Sequence, residues 1–362
     1  METERLDKAR IKVIGVGGAG CNAVDRMIQI GIPGVSFIAA NTDAQALLQS
    51  EAPCKIRLGP GLTHGLGAGG DPEIGRRAAQ ESQRLLSEIV QDAEMIFITG
   101  GMGGGTGTGA APVIAHLARE AHALVIGIVT KPFLFEGPRR LAAAQEGIAQ
   151  LQEEVDALIV VANDRLLEVV NHRLPLGIAF RVADEVLRQG VQGVAELVTH
   201  PGLINLDFAD VKSVISNAGR TLMSIGHAEG KDKALEAARV ALENPLMDIE
   251  TVQEAEGLLV NFSGGEDLTL AEVSEAMDTL AQTAKPDAPI FFGVTLDPEL
   301  RGRVQITLIA TGLREPSASP VSRHAAVTSA RRHTLAELLG DFHFAEPVAA
   351  PASLRSEALR VG

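Results

Sequence analysis

Five short segments in the first half of the chain are almost continuously apolar, with glycine-rich or amphipathic segments between them. They are residues 11–16, 35–40, 94–99, 123–129 and 156–162. Unbroken apolar runs of this length are typical of strands that helices cover on both faces, as in a parallel sheet. Because such strands alternate with helical patterns, residues 9–175 are predicted to form a doubly wound parallel α/β sheet.

Two helical patterns have defined positions relative to these strands. In residues 112–120, apolar positions recur at helical spacing, and Pro112 is predicted to lie in the first turn. Residues 174–199 form a longer, mostly apolar pattern that stops before Pro201, which disfavours helix at the preceding residue. We expect this long helix to be buried between two domains.

The second half of the chain has a different order of elements. A helix rich in alanine and charge is predicted within residues 222–244, and a second helix at 267–283. Strands are predicted at residues 257–262, 290–295 and 304–310. This order predicts a smaller α+β domain, in which one face of the sheet is half exposed.

These patterns predict the domain organisation. The predicted units are an N-terminal extension (1–9), an α/β domain (10–175), a central helix (176–200), a C-terminal α+β domain (201–313) and a flexible tail (314–362). The tail is predicted because residues from 315 onward are rich in Pro, Ser, Ala, Arg and His and show little periodicity, apart from a short amphipathic piece at 334–342.

Composition and charge exclude some classes of partner. The chain has 362 residues, with 32 Lys and Arg against 46 Asp and Glu, a formal net charge of −14. A surface this acidic argues against nucleic acid, whose binding depends on clustered cations. The two cysteines, the absence of an apolar leader and the absence of any apolar run near 20 residues predict a cytoplasmic protein that does not insert into membranes.

Glycines and small polar residues follow every strand of the predicted parallel sheet. Ligands of open α/β sheets bind beyond the carboxyl ends of the strands. Gly15, Gly17 and Gly20 match the dinucleotide-binding pattern GxGxxG. Glycine after a strand can equally serve only to allow a tight turn, so this match by itself leaves both interpretations open.

The segment 100–109 is a stronger signal. It holds seven glycines and two threonines between an apolar strand and a helix start. Glycine costs backbone entropy on folding, and it allows backbone N–H groups to approach an anion at a helix N-terminus. The sequence has no GxxxxGK[ST] motif, metal-ligand motif or GxSxG elbow. We therefore predict that phosphate is bound mainly by backbone amides.

Two charged segments are ambiguous from their residues alone. Asp207 and Asp210 precede a predicted helix at 211–218, and acidic residues at this spacing are typical of a helix N-terminus. The segment containing Glu136, Arg139 and Arg140 can likewise be an ordinary charged helix start.

Seven segments, taken in order, resemble the FtsZ type of the tubulin family of cell-division GTPases. They are IKVIGVGGAGCNAVDRM, ANTDAQAL, GLGAGGDPEIGRRAA, GGMGGGTGTGAAPVIA, VTKPFLFEGPRR, VQGVAELVTHPGLINLDFADV and VQITLIATG. The resemblance covers about residues 10–313. It implies a GTP-binding domain, a central helix, a C-terminal α+β domain and assembly into protofilaments.

The resemblance also implies roles for individual residues. Those expected to surround the phosphates are Gly17, Gly18, Ala19, Gly20, Cys21, Asn22, Ala68, Gly69, Gly70, Gly103, Gly104, Gly105, Thr106 and Gly107. Those expected on the ribose and phosphate side are Thr130, Pro132, Glu136 and Arg140, and those expected to contact guanine are Asn163, Phe180 and Asp184. Asn205, Asp207 and Asp210 are expected to act on the nucleotide of a neighbouring subunit.

The expected mechanism has a divided site. A helix of about 25 residues is roughly 37 Å long, so a subunit that holds GTP or GDP at the sheet edge does not reach its own acidic loop. Head-to-tail stacking would complete the site and generate filaments, with Mg²⁺ offsetting the phosphate charge. The resemblance implies a cytoplasmic homopolymer at the mid-cell division site.

The tail departs from the family pattern. A C-terminal peptide that docks on membrane-tethering division adaptors is represented only by residues 351–355, where Ser353 stands in the place of the aromatic anchor. The tail favours one alternative function, a paralogue whose filaments have a task other than division. A second alternative, from a different class of protein, is a Rossmann oxidoreductase. The oxidoreductase would explain GxGxxG but not segment 100–109 or the acidic loop.

Overall fold

The computed structural model of the chain describes residues 9–169, 175–199, 202–204, 206–216, 218–243 and 255–313. The predictions for residues 1–8, for Asn205 and for the tail, including residues 351–355, lie outside the described residues.

The described residues contain ten strands and twelve α-helices. The strands are β1 (Ile11–Val16), β2 (Val35–Asn41), β3 (Cys54–Arg57), β4 (Met95–Gly101), β5 (Leu124–Lys131), β6 (Ala157–Ala162), β7 (Gly219–Glu229), β8 (Gly257–Gly264), β9 (Ile290–Leu296) and β10 (Arg303–Thr311). The helices are α1 (Gly17–Ile30), α2 (Ala44–Gln49), α3 (Pro60–Thr63), α4 (Pro72–Glu81), α5 (Gln83–Val90), α6 (Thr106–Glu120), α7 (Pro138–Gln152), α8 (Asn163–Val169), α9 (Leu176–Thr199), α10 (Phe208–Ile215), α11 (Lys233–Glu243) and α12 (Leu270–Ala281).

The predicted parallel α/β sheet is confirmed. Strands β3, β2, β1, β4, β5 and β6 pair in parallel in that order. The β1–β4 register places Val16 opposite Gly100, so the loops that follow these two strands leave the sheet side by side. Side chains alternate across the sheet: Phe97 of β4 packs with α1 and α9, and Ile98 packs with α4 to α7 on the opposite face.

Strand β7 joins the two halves of the fold into one sheet. Its first residues pair in parallel with β6, where Gly219 lies opposite Ala157, and the rest pairs antiparallel with β10. Strand β8 then pairs with β10 and β9. The sequence analysis missed β7 as well as the short strand β3. The helix predicted within residues 222–244 is confirmed as α11.

The long helix α9 packs against both halves of the sheet, as predicted. A Cβ on Gly190 would lie 3.2 Å from Ile128 of β5, and a Cβ on Gly193 would lie 2.6 Å from Thr307 of β10. Because glycine lets α9 approach this closely, the helix fills the space between the two halves.

The helix after β4 starts earlier than predicted. It begins at Thr106, so Pro112 lies inside α6 and the prediction of a first-turn position is wrong. Gly109 in its first turn packs against α4: a Cβ there would lie 1.9 Å from the Pro72 carbonyl oxygen. Close packing with α4 therefore offsets the low helix propensity of glycine at this helix start.

Candidate functional site

The loops at the carboxyl ends of β1, β2 and β4 meet at one edge of the sheet, which we call the rim. The Thr42 and Thr106 hydroxyl oxygens are 2.6 Å apart, in a buried hydrogen bond between the loop after β2 and the start of α6. A Cβ on Gly17, whose φ is +72°, would lie 3.0 Å from the Gly107 nitrogen. The predicted phosphate residues 17–22 and 103–107 therefore lie together.

Two helices start at this rim without side-chain caps. Neither α1 nor α6 has a capping side chain or an acidic residue in its first turn, whereas Asp43 caps α2 and Asp71 caps α4. Uncapped first-turn N–H groups and the positive end of the helix dipole favour an anion. The two adjacent helix starts have the geometry of a phosphate cradle.

The glycines at the rim fall into two groups. In the first group a Cβ would collide with backbone or a neighbouring side chain, at 2.4 Å from the Thr99 carbonyl oxygen for Gly20 and at 2.7 Å from the Ala68 Cβ for Gly105. These glycines allow the loops to pack against each other. Gly103 and Gly107 belong to this group as well, with contacts of 2.7 Å to the Arg140 carbonyl oxygen and 2.5 Å to the Gly101 carbonyl oxygen.

The second group faces open space. A Cβ on Gly18, Gly69, Gly70 or Gly104 would meet no atom within 4 Å. Gly18, Gly69 and Gly70 are also exposed, and the Gly69–Gly70 pair has φ values of +59° and +77°. These four positions leave bare backbone facing open space, which we call the groove, and bare backbone of this kind allows close approach of an anion.

The loop after β5 forms a side wall of the groove. The Glu136 carboxylate accepts a hydrogen bond of 2.9 Å from the Phe133 nitrogen and forms an ion pair with Arg140. Pro132 is buried, with its Cγ 3.1 Å from the position of a Cβ on Gly103. Thr130 is also buried, beside Gly101.

The predicted guanine contacts lie at the other end of this wall. Phe180 is 39% exposed, and its ring packs edge-to-face with the ring of the buried Phe133, with centroids 5.4 Å apart at 82°. The adjacent loop is tied to α8 by a hydrogen bond of 3.0 Å from the Leu134 nitrogen to the Asp164 carboxylate. Asn163 is 5% exposed, and its Oδ1 has no partner in the described structure. A buried, unpaired acceptor is costly unless a ligand supplies a donor.

Asp184 lies on α9 and is buried, with 8% of the surface of the whole residue exposed. Burial raises the pKa of Asp184 to about 6, an effect that Arg26 opposes and Glu185 reinforces. The Arg26 Nε lies 3.7 Å from the Asp184 Oδ2. An ionised carboxylate at this buried position destabilises the fold. Because groups with strongly shifted pKa values cluster at functional sites, this favours a role of Asp184 in binding.

Cys21 contributes to the rim through its backbone. Its thiol is buried and lies 3.8 Å from the Gly15 carbonyl oxygen, to which it donates. Burial, with a smaller effect of Asp25, raises the pKa of Cys21 to about 12, so the thiol stays neutral and is not a nucleophile.

Asp207 and Asp210 lie at the opposite edge of the sheet. Helix α9 starts at the rim, where Phe180 contacts Phe133, and ends where Thr199 lies 3.2 Å from the position of a Cβ on Gly34, just before β2. At 1.5 Å per residue its 24 residues span about 36 Å. The Asp210 carboxylate accepts a bond of 3.3 Å from the Asp207 nitrogen, so the helix-start geometry is present too.

Arg26 was missed by the sequence analysis, and Thr42 and Thr108 were identified only as members of rim loops, without individual roles. The Thr108 hydroxyl accepts a 2.8 Å hydrogen bond from the Gly103 nitrogen and so fixes the loop before α6. The signal for Arg26 was its position one helical turn after Asn22, which places both residues on one face of α1.

The described part of the chain lacks two kinds of feature. No group of three or more His, Cys, Asp or Glu side chains is placed to hold a metal ion there. No described helix combines the length and apolar character that crossing a membrane requires.

A doubly wound sheet with uncapped helix starts and bare glycine backbone at one rim defines a nucleotide-binding α/β protein. The sequence model of the Tubulin/FtsZ family GTPase domain matches residues 10–171, and that of the FtsZ family C-terminal domain matches residues 219–314. The chain belongs to the tubulin/FtsZ family.

Solved structures agree with this assignment. An FtsZ dimer from M. jannaschii, described as empty, is 45% identical and superposes with a TM-score of 0.82, covering 85% of this chain and 89% of that one. A tryptophan-to-tyrosine mutant of M. jannaschii FtsZ is 45% identical with a TM-score of 0.81, covering 84% and 92%. CetZ2 from Haloferax volcanii, a GTPγS-bound protofilament, shares the fold at 22% identity with a TM-score of 0.72, covering 84% and 93%.

Proposed function

We propose that this chain is a GTPase that polymerises head to tail into filaments, and that the filaments form the cytokinetic ring at mid-cell in bacterial division. The observation that carries the proposal is the separation of two incomplete half-sites. The anion cradle lies at the rim, and the acidic loop lies at the opposite edge, beyond a helix about 36 Å long.

The rim supports binding of a guanine nucleotide. In the proposed arrangement, the bare backbone at Gly18, Gly69, Gly70 and Gly104 and the starts of α1 and α6 surround the phosphates. The ribose lies against the loop that carries Glu136. The Phe180 face stacks on the base, and the Asp184 carboxylate accepts hydrogen bonds from its N–H donors.

Hydrolysis needs a group that orients the attacking water, and Asp43 and Asp71 on the rim loops already accept hydrogen bonds as the caps of α2 and α4. Asp207 and Asp210 of a neighbouring subunit supply it in our proposal, together with Asn205. A contact that joins the rim of one subunit to the acidic loop of the next is heterologous and does not close, so it generates a filament. Hydrolysis is thereby coupled to assembly.

Mg²⁺ belongs to this proposal as a partner of the nucleotide. The described residues provide no ready-made set of three acidic or histidine ligands. Phosphate oxygens and water would therefore be most of its ligands, with the Thr42 and Thr106 hydroxyls near the cradle. The ion would supply neutralisation of phosphate charge.

The division role rests on the closeness of the relatives. FtsZ structures match at 45% identity and a CetZ structure at 22%, which favours an FtsZ-type function over a paralogue with another task. Docking of division adaptors on residues 351–355 stays a prediction. Complementation of a division-depleted host with this chain, compared with the Asp210→Ala variant, would separate division from another filament task.

Turnover as a function of protein concentration tests the divided site. We expect phosphate release per subunit to rise steeply over the concentration range in which sedimentation with GTP, but not with GDP, begins. A rate per subunit that is the same in dilute and concentrated solution would mean that one chain holds a complete site.

A further inference from the structure

Arg26 and Asp184 come from two helices that pack against each other at the base end of the rim. Arg26 lies on α1 and Asp184 on α9, with Nε and Oδ2 3.7 Å apart. Both side chains are largely buried, at 22% and 12% exposed, so the pair is weakly screened by solvent.

The other charges near Asp184 do not replace Arg26. Glu185, also on α9, is the second charged group acting on Asp184, and it opposes ionisation. Arg188 is committed to Glu185, with a hydrogen bond of 2.8 Å from Nε to Oε1. Among the described residues, Arg26 is the cation that faces the Asp184 carboxylate.

We propose that Arg26 is a positioning residue that keeps the Asp184 carboxylate ionised and oriented for the guanine ring, and that this pair sets the pH range of nucleotide binding. The inference rests on the proposed function, in which Asp184 contacts the base. What it adds is that the contact between Asp184 and guanine depends on Arg26, a residue of another helix.

The chemistry gives the direction of the effect. An ionised carboxylate is acceptor-only and matches two N–H donors on one edge of the base, whereas a protonated one carries a donor and loses an acceptor. Since burial raises the pKa of Asp184 to about 6, GDP affinity should fall roughly tenfold for each pH unit below that value. Removing the Arg26 charge raises this pKa further, so the affinity loss moves to higher pH.

The test is the affinity for GDP from pH 5.5 to 8.5, because GDP binds without turnover. We expect the Arg26→Gln variant to shift the midpoint upward by about one pH unit, which is roughly a tenfold change where the profile is steep, and to approach wild-type affinity at pH 8.5. Arg26→Lys should restore most of the wild-type midpoint, since it keeps the charge.

Asp184→Asn is the matched control. Its GDP profile should lack the transition near pH 6, and adding Arg26→Gln to it should cause no further shift. An Arg26→Gln profile that keeps the wild-type midpoint, or that is lowered equally at every pH, would overturn the inference. Absence of GDP binding by the wild-type chain at every pH would instead overturn the proposed function. If circular dichroism shows that Arg26→Gln does not fold, the GDP-affinity profiles of Arg26→Lys and Asp184→Asn still test the inference. A transition near pH 6 that is unchanged in Asp184→Asn contradicts it.

Discussion

Glycines that pack against neighbouring backbone and glycines that face the groove make opposite predictions for substitution by alanine. At Gly109, in the first turn of α6, the new Cβ would lie 1.9 Å from the Pro72 carbonyl oxygen and 2.6 Å from the Arg76 nitrogen. Both are backbone atoms of the α4 segment, which cannot rotate away. At Gly104 the new Cβ would meet no atom within 4 Å, and φ lies outside the left-handed region.

The magnitudes follow from these distances. Relief of the Gly109→Ala collision requires α4 to move by about 1.5 Å to reach ordinary contact, and overpacking of this kind costs about 1–3 kcal/mol of unfolding free energy. Gly104→Ala should leave the unfolding free energy unchanged or raise it by up to about 1 kcal/mol, since alanine restricts the unfolded chain. The two variants should therefore differ by about 1–4 kcal/mol.

The effect on ligand binding should run the other way. A methyl group at Gly104 projects into the proposed phosphate groove, and we expect it to weaken GDP binding by about 1–3 kcal/mol, roughly 5- to 150-fold in Kd. Gly104→Val should weaken binding further without unfolding the protein.

Urea denaturation and GDP titration of the same preparations provide the assay. Gly105→Ala is an informative intermediate, because its Cβ would lie 2.7 Å from the Ala68 Cβ and displace the loop that carries Gly69. Wild-type GDP affinity in Gly104→Val, or a Gly104→Ala variant as unstable as Gly109→Ala, would refute the division of the glycines into packing and groove positions.

Three further predictions concern side chains of the proposed site. Asp210→Ala should retain GDP affinity while phosphate release is lost; equal loss of both would place Asp210 within its own subunit's site. Phe180→Ala should lower GDP affinity by about 1–3 kcal/mol from lost stacking, measured by calorimetry against Phe180→Tyr, and an unchanged affinity would remove Phe180 from the base site. Asp184→Asn should stabilise the nucleotide-free chain. The pKa of Asp184 is raised from 3.8 to about 6 in the folded chain, so ionisation of this carboxyl lowers the free energy of unfolding increasingly between pH 3.8 and pH 6. Above pH 6 the loss reaches about 3 kcal/mol. Urea denaturation should show the full gain in unfolding free energy at pH 8 and a smaller gain at pH 5. A gain that does not depend on pH would contradict the raised pKa of Asp184.

The strands of the parallel sheet could be predicted because burial on both faces leaves an unbroken apolar run. Strand β3 could not, since it has four residues at the edge of the sheet and exposes Lys55 and Arg57. Strand β7 was missed because polar residues such as Arg220, Ser224 and His227 interrupt its apolar positions, so it lacks the unbroken apolar run of the parallel strands. Gly226 is the signal that was available: a Cβ there would lie 2.0 Å from the Ala237 carbonyl oxygen of α11.

The site was predictable to the level of loops but not of individual contacts. Seven glycines in one segment indicate close backbone approach, yet the sequence does not distinguish Gly104, which faces the groove, from Gly105, which packs on Ala68. The Arg26–Asp184 pair joins residues far apart in sequence through the packing of α1 on α9, which no local pattern encodes. The start of α6 was placed too late because tertiary packing overrides glycine's low helix propensity.

The most direct test of the divided site is phosphate release from a mixture of two inactive chains. Gly104→Val lacks a working cradle but keeps its acidic loop, and Asp210→Ala has the reverse defect. Each variant alone should be inactive. In an equimolar mixture with GTP, about one interface in four joins an intact cradle to an intact acidic loop, and hydrolysis should be recovered at those interfaces. Asp210→Ala mixed with the doubly substituted chain should stay inactive. A mixture of the two single variants that also stays inactive would contradict a catalytic site shared between subunits.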